Sequence, residues 1–293
     1  MMYRVRHTTT YAYTYSVSVC HNCLHLMPRE CSHQRCSFHE LLIYPEPAVV
    51  SQSLDYFGNP VTFFTLQEPH DALTMTANST IEIRALETPA PHATPAWEEV
   101  RDHLRQDLSR TGLEAYQYTF DSPYISPVPG VMPYTLASFP AARPLLEAVY
   151  DLNQRIYGDF TYDPRATSVG TPLSDVWRDR RGVCQDFAHF EIACLRSLGL
   201  AARYVSGYLV TQPPPAQAPL VGALASHAWL SVYCPGHGWI DVDPTNGVFP
   251  SDTHITVAYG RDYGDVSPIQ GVFLGGGEHT LDVSVDVVPI HAS

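Results

Sequence analysis

Residues 184–199 are apolar on nearly every side when wound as a helix. Phe187, Phe190, Cys194 and Leu198 fall on one face at helical spacing, and Ala188, Ile192 and Leu195 fall on another. Gly199 ends the pattern. A helix without a polar side has to be enclosed all round, so the rest of the chain must supply layers on both sides of it. Two helical patterns precede it. Trp97, Val100, Leu104 and Leu108 mark the first, with Thr94 as a possible N-cap, Pro95 at the first helical position and Gly112 beyond the end. Leu145, Val149, Leu152 and Ile156 mark the second, over residues 141–157, with Gly158 as its stop. Strand patterns follow at 203–210, 225–233 and 239–242. Helices segregated before a sheet predict an α+β fold.

Residues 1–88 carry a different period. Tyr3, Val5 and His7 alternate with Arg4 and Arg6, and short runs of β-formers recur at 10–15, 41–44, 61–66 and 79–83 between turn signals such as Phe57-Gly58-Asn59-Pro60. This pattern predicts an antiparallel β-sandwich. A Pro-rich junction at 88–95 separates it from the helices. The expected division is an N-terminal β-domain over 1–88 and a core over 89–293, whose tail, 255–290, returns to β-character.

The net charge is −13, from 30 acidic and 17 basic residues, and every basic residue is Arg. An acidic surface argues against nucleic acid or an anionic membrane as partner. No apolar run approaches the ~20 residues of a membrane-spanning helix, and residues 1–19 lack the apolar core of a secretion signal. The expected location is the cytoplasm, with reduced thiols. Seven cysteines, an odd number, also speak against a disulfide framework.

Cys184 stands at the start of the central helix, in Arg181-Gly182-Val183-Cys184-Gln185-Asp186. A thiol is a weak nucleophile until ionised, and a helix N-terminus together with a neighbouring imidazole is a common way to ionise it. Taken alone, Cys184 could equally be an inert buried thiol. His227, in Ser226-His227-Ala228-Trp229, lies on the less apolar face of its strand. A hairpin turning at residues 234–238 would bring a carboxylate beside it. Asp241 and Asp243 share a face of the returning strand, and parity does not choose between them. Such a carboxylate would fix the imidazole tautomer and stabilise the imidazolium.

These segments resemble the transglutaminase-like superfamily. Gly182-Val183-Cys184-Gln185-Asp186-Phe187-Ala188, then 195–208, look like that family's nucleophile helix and the strand after it. Ser226-His227-Ala228-Trp229 and the segment from Gly238-Trp239 to Asp243-Pro244-Thr245-Asn246 look like its His and Asp strands. Residues 258–266 resemble the ending of the bacterial branch, and the N-terminal strands resemble the β-domain that precedes the core there.

The resemblance implies a papain-like core of helices packed on an antiparallel sheet, and a Cys-His-Asp triad. Cys184 would be the nucleophile, His227 general base and then acid, and Asp243, rather than Asp241, the aspartate. The backbone N–H of Cys184 would be one oxyanion donor. Tyr162 is a candidate for a second and Trp177 a further one, against a plain reading of both as core aromatics. The implied activity is hydrolysis or acyl transfer at an amide or peptide bond of a peptide or protein substrate, without a cofactor, with a leaning to hydrolysis. A catalytically silent binding module on the same fold is the alternative.

Cys20, Cys23, Cys31 and Cys36, interleaved with His21, His25, His33 and His39, look superficially like a zinc site. They fall across expected strands, where side chains alternate faces, so no metal is expected. Gly275-Gly276-Gly277 reads as a turn.

Overall fold

The computed structural model describes residues 1–85, 88–210, 220–222 and 225–290. Five strands come first: β1 (Met2–Leu24), β2 (Gln34–Tyr44), β3 (Val49–Leu54), β4 (Pro60–Leu66) and β5 (His70–Ile83). Helices follow: α1 (Trp97–Gln106), α2 (Arg110–Tyr116), α3 (Val131–Leu136) and α4 (Leu145–Asp159). Next come β6 (Thr161–Tyr162), α5 (Leu173–Asp179), β7 (Arg181–Gly182) and α6 (Cys184–Ser197). The chain continues through β8 (Ala202–Leu209), β9 (His227–Cys234), β10 (Gly238–Val242), β11 (His254–Gly260) and α7 (Tyr263–Val266), and ends on β12 (Ile269–Gly275) and β13 (His279–Ile290).

β1 is the spine of a seven-stranded antiparallel sheet. Its first half pairs with β5 on one side and β13 on the other. Pairing with β5 shifts register between Ala12 and Val17, and the second half takes β4 and β12 instead. The two layers of the expected sandwich are therefore halves of one continuous sheet. Val17, Cys20 and Leu24 of β1 meet Phe64 and Leu66 of β4 and Leu73, Met75 and Ala77 of β5 in a core of their own. Further along the same face, Tyr3, Val5, Ile81 and Ile83 join the core of the helical half.

The expected division at 89–293 needs correcting at its far end. β12 and β13 follow the helical half in sequence, yet they complete the N-terminal sheet. The physical reason is that β1 offers unpaired backbone along one side, and the alternating strands β12 and β13 satisfy it.

The remaining strands form an antiparallel sheet in the order β10-β9-β8-β11, with α6 packed on β8 and β9. The all-round apolar pattern is matched by the structure: every residue of α6 from Asp186 to Arg196 is buried. The polar residues among them each find partners. Arg196 donates to the Ala202 and Arg261 carbonyls, and His189 accepts the Tyr263 N–H. The α4 pattern starts at Leu145 rather than 141, and Thr94 caps it rather than α1: its Oγ1 accepts the Leu146 N–H at 3.1 Å. The α1 N-cap is Ala96, without a side-chain bond. The short helices α2, α3 and α5 carry too few turns to show a period.

The outer edge of β11 is closed by side chains from the N-terminal half. Gln34 donates to the Thr256 carbonyl (2.7 Å) and accepts the Thr256 N–H (2.9 Å). Asn59 does the same for Tyr259, at 2.7 and 2.8 Å. Each primary amide thus imitates one rung of a strand. His7 of β1 adds a buried bond to the Tyr208 hydroxyl of β8, at 2.9 Å.

Two expectations follow. Asn59→Ala strands the buried Tyr259 N–H and carbonyl, each worth about 1–3 kcal/mol when left unmade, so chemical denaturation should give a stability loss of about 2 kcal/mol or more. The second concerns pH. Burial lowers His7 to about 4, and burial with the charge of Arg196 lowers His189 to about 3. Both take up a proton on unfolding below about 6.5, so stability that is full above that value is lost as pH falls. Glu191, raised by burial to about 8, acts with the opposite sign. It adds stability as pH falls from about 8 and offsets one of the two histidines. Urea melts should show a maximum near pH 6.5 and a loss of stability below it, and His7→Gln should flatten that acid limb.

Candidate active site

α6 starts where it does because of two neighbours of Cys184. Asp186, three residues into the turn, reaches back to accept the Val183 N–H at 2.8 Å and the Thr167 hydroxyl at 2.6 Å. This is the acidic half of a capping box; Val183 has no oxygen to supply the other half. The Asp186 carboxylate lies directly over Gly182, where a Cβ would come within 2.5 Å of it. The Gly-Val-Cys-Gln-Asp string is thus a set of packing requirements. It leaves Cys184 half-buried at the first helical position, beside unpaired N–H groups.

β9 begins at His227, which is fully buried. Its Nε2 donates to Asp243 Oδ2 at 2.9 Å. Its Nδ1 makes no hydrogen bond of regular geometry among the described residues. Cys184 is nonetheless close enough to act on the ring. Burial alone would lower the His227 pKa, but the charges of Asp243 and Cys184, with the hydrogen bond to Asp243, raise it well above the usual imidazole range. Long or imperfect contacts between nucleophile and base are common before substrate binds.

The hairpin turns at 234–238 as expected, with Asp241 opposite Ser231 and Val242 opposite Leu230. The two aspartates separate by function. Asp243 lies one residue past β10 and faces His227. Asp241 accepts the Trp229 indole N–H at 3.2 Å and the Ser231 hydroxyl. Trp229 in turn stacks beside His227, with ring centroids 6.1 Å apart. Its ring rests on Gly207, where any Cβ would collide with it, the use expected of a glycine inside a strand.

Asp243 carries a full set of donors. Oδ1 accepts the backbone N–H of Thr245 (2.9 Å) and Asn246 (3.3 Å). Oδ2 accepts from His227, from Asn246 Nδ2 (2.7 Å) and from His254 Nε2 (3.1 Å). Burial would raise this carboxyl, but the two imidazoles and these bonds hold it far below the ordinary carboxylate range. His254 was not among the residues singled out from the sequence. It begins a strand with no motif about it, and only the fold carries it to Asp243.

Ligand atoms of His227, Asp243 and His254 lie within 4.8 Å of one another, the one such metal-capable grouping among the described residues. The shared oxygen already accepts three hydrogen bonds, which describes a saturated carboxylate rather than an open coordination site. The N-terminal cysteines disperse: Cys20 contacts His70 (3.9 Å), Cys31 contacts His33 (3.6 Å), and Cys36 donates to the Phe38 carbonyl.

Of the two aromatic candidates, Tyr162 lies near the thiol. Burial, with the charge of Cys184 added, raises it to about 12. Trp177 is a core residue instead, stacked on Phe190 with Arg180 over its ring at 3.7 Å. Tyr204, missed in the sequence, is fully buried and also feels the charge of Cys184 after burial.

Of residues 211–224, between β8 and β9, the structure describes 220–222, and these reach the site. Asn246 holds Val221 through both amide atoms, and Gly222 lies against His227. A cavity of about 530 Å³ lined by Cys31, His33, Arg203, Trp239 and Tyr259 does not include Cys184 or His227; the chemistry points elsewhere.

A thiol at a helix start, a buried imidazole and a saturated carboxylate define a site of the transglutaminase-like kind, and the chain belongs to the transglutaminase-like superfamily. Residues 3–82 match the bacterial transglutaminase-like N-terminal region, and residues 137–244 match the transglutaminase-like superfamily core. Uncharacterized proteins of Mycobacterium bovis and Mycobacterium tuberculosis are 42% identical over 296 residues, covering 98% of this chain and 92% of their own length. A crystal structure of a candidate cysteine protease from Cytophaga hutchinsonii has the same fold, with a TM-score of 0.78 at 20% identity, covering 100% of this chain and 92% of that one. A protein-glutamine gamma-glutamyltransferase of Pseudomonas aeruginosa is 35% identical over 92 residues, 31% of this chain and 14% of that protein.

Gly222 adopts φ +91°, and a Cβ there would stand 2.8 Å from His227 Nδ1. Gly222→Ala should therefore displace the imidazole from the thiol, lowering Cys184 alkylation by iodoacetamide at least tenfold at pH 6.

Proposed function

We propose that this protein is a cysteine-dependent enzyme acting at amide or peptide bonds of peptide or protein substrates. The observation that carries the reading is His227, fully buried between Cys184 at a helix start and the Asp243 carboxylate. Nothing in a purely structural role calls for an imidazolium held there, whereas covalent catalysis by a thiol does.

In this reading the Cys184 sulfur attacks the substrate carbonyl and a C–S bond forms. His227 holds the thiol proton and passes it to the departing nitrogen as the C–N bond breaks, leaving a thioester. Water or an external amine then attacks the thioester. His227 takes the proton of that nucleophile and returns it to the sulfur, releasing acid or new amide. Asp243 keeps the imidazole oriented and stabilises its charged form. The backbone N–H of Cys184 and the Tyr162 hydroxyl are the proposed donors to the oxyanion, a role in which loss of one donor costs roughly 10²–10³ in rate. Hydrolysis and transfer share every step up to the thioester. With no lysine in the chain, the protein cannot cross-link itself through a lysine amine, so an acceptor amine would come from another molecule. Hydrolysis is the simpler outcome and the one favoured here.

Two further points belong to the proposal. All seven cysteines are free, which suits a reducing compartment, and the proposed location is the cytoplasm. No described helix is long and apolar enough to cross a membrane. No cofactor takes part in the scheme.

The test uses two thiols of one molecule. Cys194 is fully buried on the same helix and raised by burial to about 12, so it is an internal control. Iodoacetamide followed by mass spectrometry should label Cys184 at least a hundredfold faster than Cys194, and Cys184→Ala should abolish turnover of a peptide-amide library with the fold intact. Equal labelling of both thiols would remove the basis for an activated nucleophile. Peptide binding without turnover, unchanged in Cys184→Ala, would favour a silent binding module.

A further inference from the structure

His254 is almost fully buried and serves no step in the scheme above. Beside a carboxylate its Nε2 must donate, and it does so to Asp243 Oδ2 at 3.1 Å, the same atom that receives His227. The Thr253 hydroxyl lies 3.1 Å from its Nδ1 and can donate to it while Nε2 carries the proton. Trp229 meets the ring edge-on, with centroids 5.1 Å apart. The ring has no freedom to turn away.

Orientation of Asp243 does not need His254. The backbone N–H groups of Thr245 and Asn246 hold Oδ1, and the Asn246 side chain holds Oδ2. What the extra donor changes is charge. A carboxylate oxygen that accepts hydrogen bonds from two imidazoles is a weaker partner for each than it would be for one. We propose that His254 is a positioning residue of this site, which shares Asp243 Oδ2 with His227 and thereby limits how firmly His227 holds its proton. The inference rests on the triad reading.

The titratable groups around the pair are Cys184 and Glu191 on α6, Asp243 after β10 and His254 on β11. Glu191, raised by burial to about 8, is uncharged at neutral pH and adds no competing charge there. Removing the His254 donor should leave more of the carboxylate's charge to His227. His227 then keeps its proton to higher pH.

The experiment is the pH titration of the His227 ring, followed by NMR, for the intact protein and three variants, with the rate of Cys184 alkylation by iodoacetamide against pH and melting temperatures beside each. His254→Phe keeps a flat ring and removes the donor. Its His227 midpoint should move up by about half to one pH unit, a three- to tenfold gain in proton affinity. His254→Gln keeps an amide donor and should stay near the unaltered protein. Thr253→Val removes the hydroxyl that polarises the ring, and should move the midpoint in the same direction by less; it decides the matter if His254→Phe does not fold. A folded His254→Phe whose midpoint is unmoved, or moved downward, overturns the inference while leaving the triad standing. So does a His254→Gln midpoint displaced as far as that of His254→Phe, or, where it decides, an unmoved Thr253→Val midpoint. An unaltered protein whose Cys184 reacts like a free thiol at every pH overturns the triad reading and this inference together.

Discussion

A carboxylate with no exposed surface is the constraint on which the site is built. Asp243 is fully buried, and an isolated charge there would be untenable. Five donors make it tenable, and each comes from a different demand on the chain. Thr245 and Asn246 supply backbone N–H groups because Pro244 turns the strand at once. Asn246 is long enough to reach Oδ2 and still hold Val221. The two histidines begin β9 and β11, on either side of β8. Take away the sheet order and the carboxylate loses its imidazoles; take away the turn and it loses its backbone donors.

The same logic runs outward. Trp229 presses on both histidine rings, Asp241 fixes the indole, and Gly207 makes room for it. The aspartate that sequence parity could not tell from Asp243 thus has a task one layer further back. On the opposite wall, Asp186 sets the start of α6 and so the place of Cys184. Two acidic side chains, one at each end of the constellation, fix the geometry between sulfur and ring, and neither needs to touch a substrate.

Much of this was legible in the letters because local rules and tertiary demands agree. A helix buried on all sides, a hairpin with Gly-rich turn residues and period-two strands announce themselves, and α6, β9–β10 and most of β1 to β5 follow the expected pattern. The departures have physical causes. Thr94 satisfied the local rule for capping α1, but its hydroxyl found the N-terminus of α4, brought alongside by packing. The tail strands read correctly as strands and wrongly as part of the core, since pairing partners far away in sequence leave no local mark. His254 was invisible for the same reason. Trp177 takes the plainer of its two readings: an aromatic upstream of the thiol is a donor only if it points there, and this one stacks on Phe190.

β13 lies beside the first half of β1, with Met2 opposite Ile290, although the whole helical half separates the two strands in sequence. During synthesis β1 therefore waits with one backbone edge bare while the helical half emerges and collapses. The N-terminal sheet becomes complete only once β13 has left the ribosome, and in the interval the nascent chain depends on whatever shields an open β-edge in the cell.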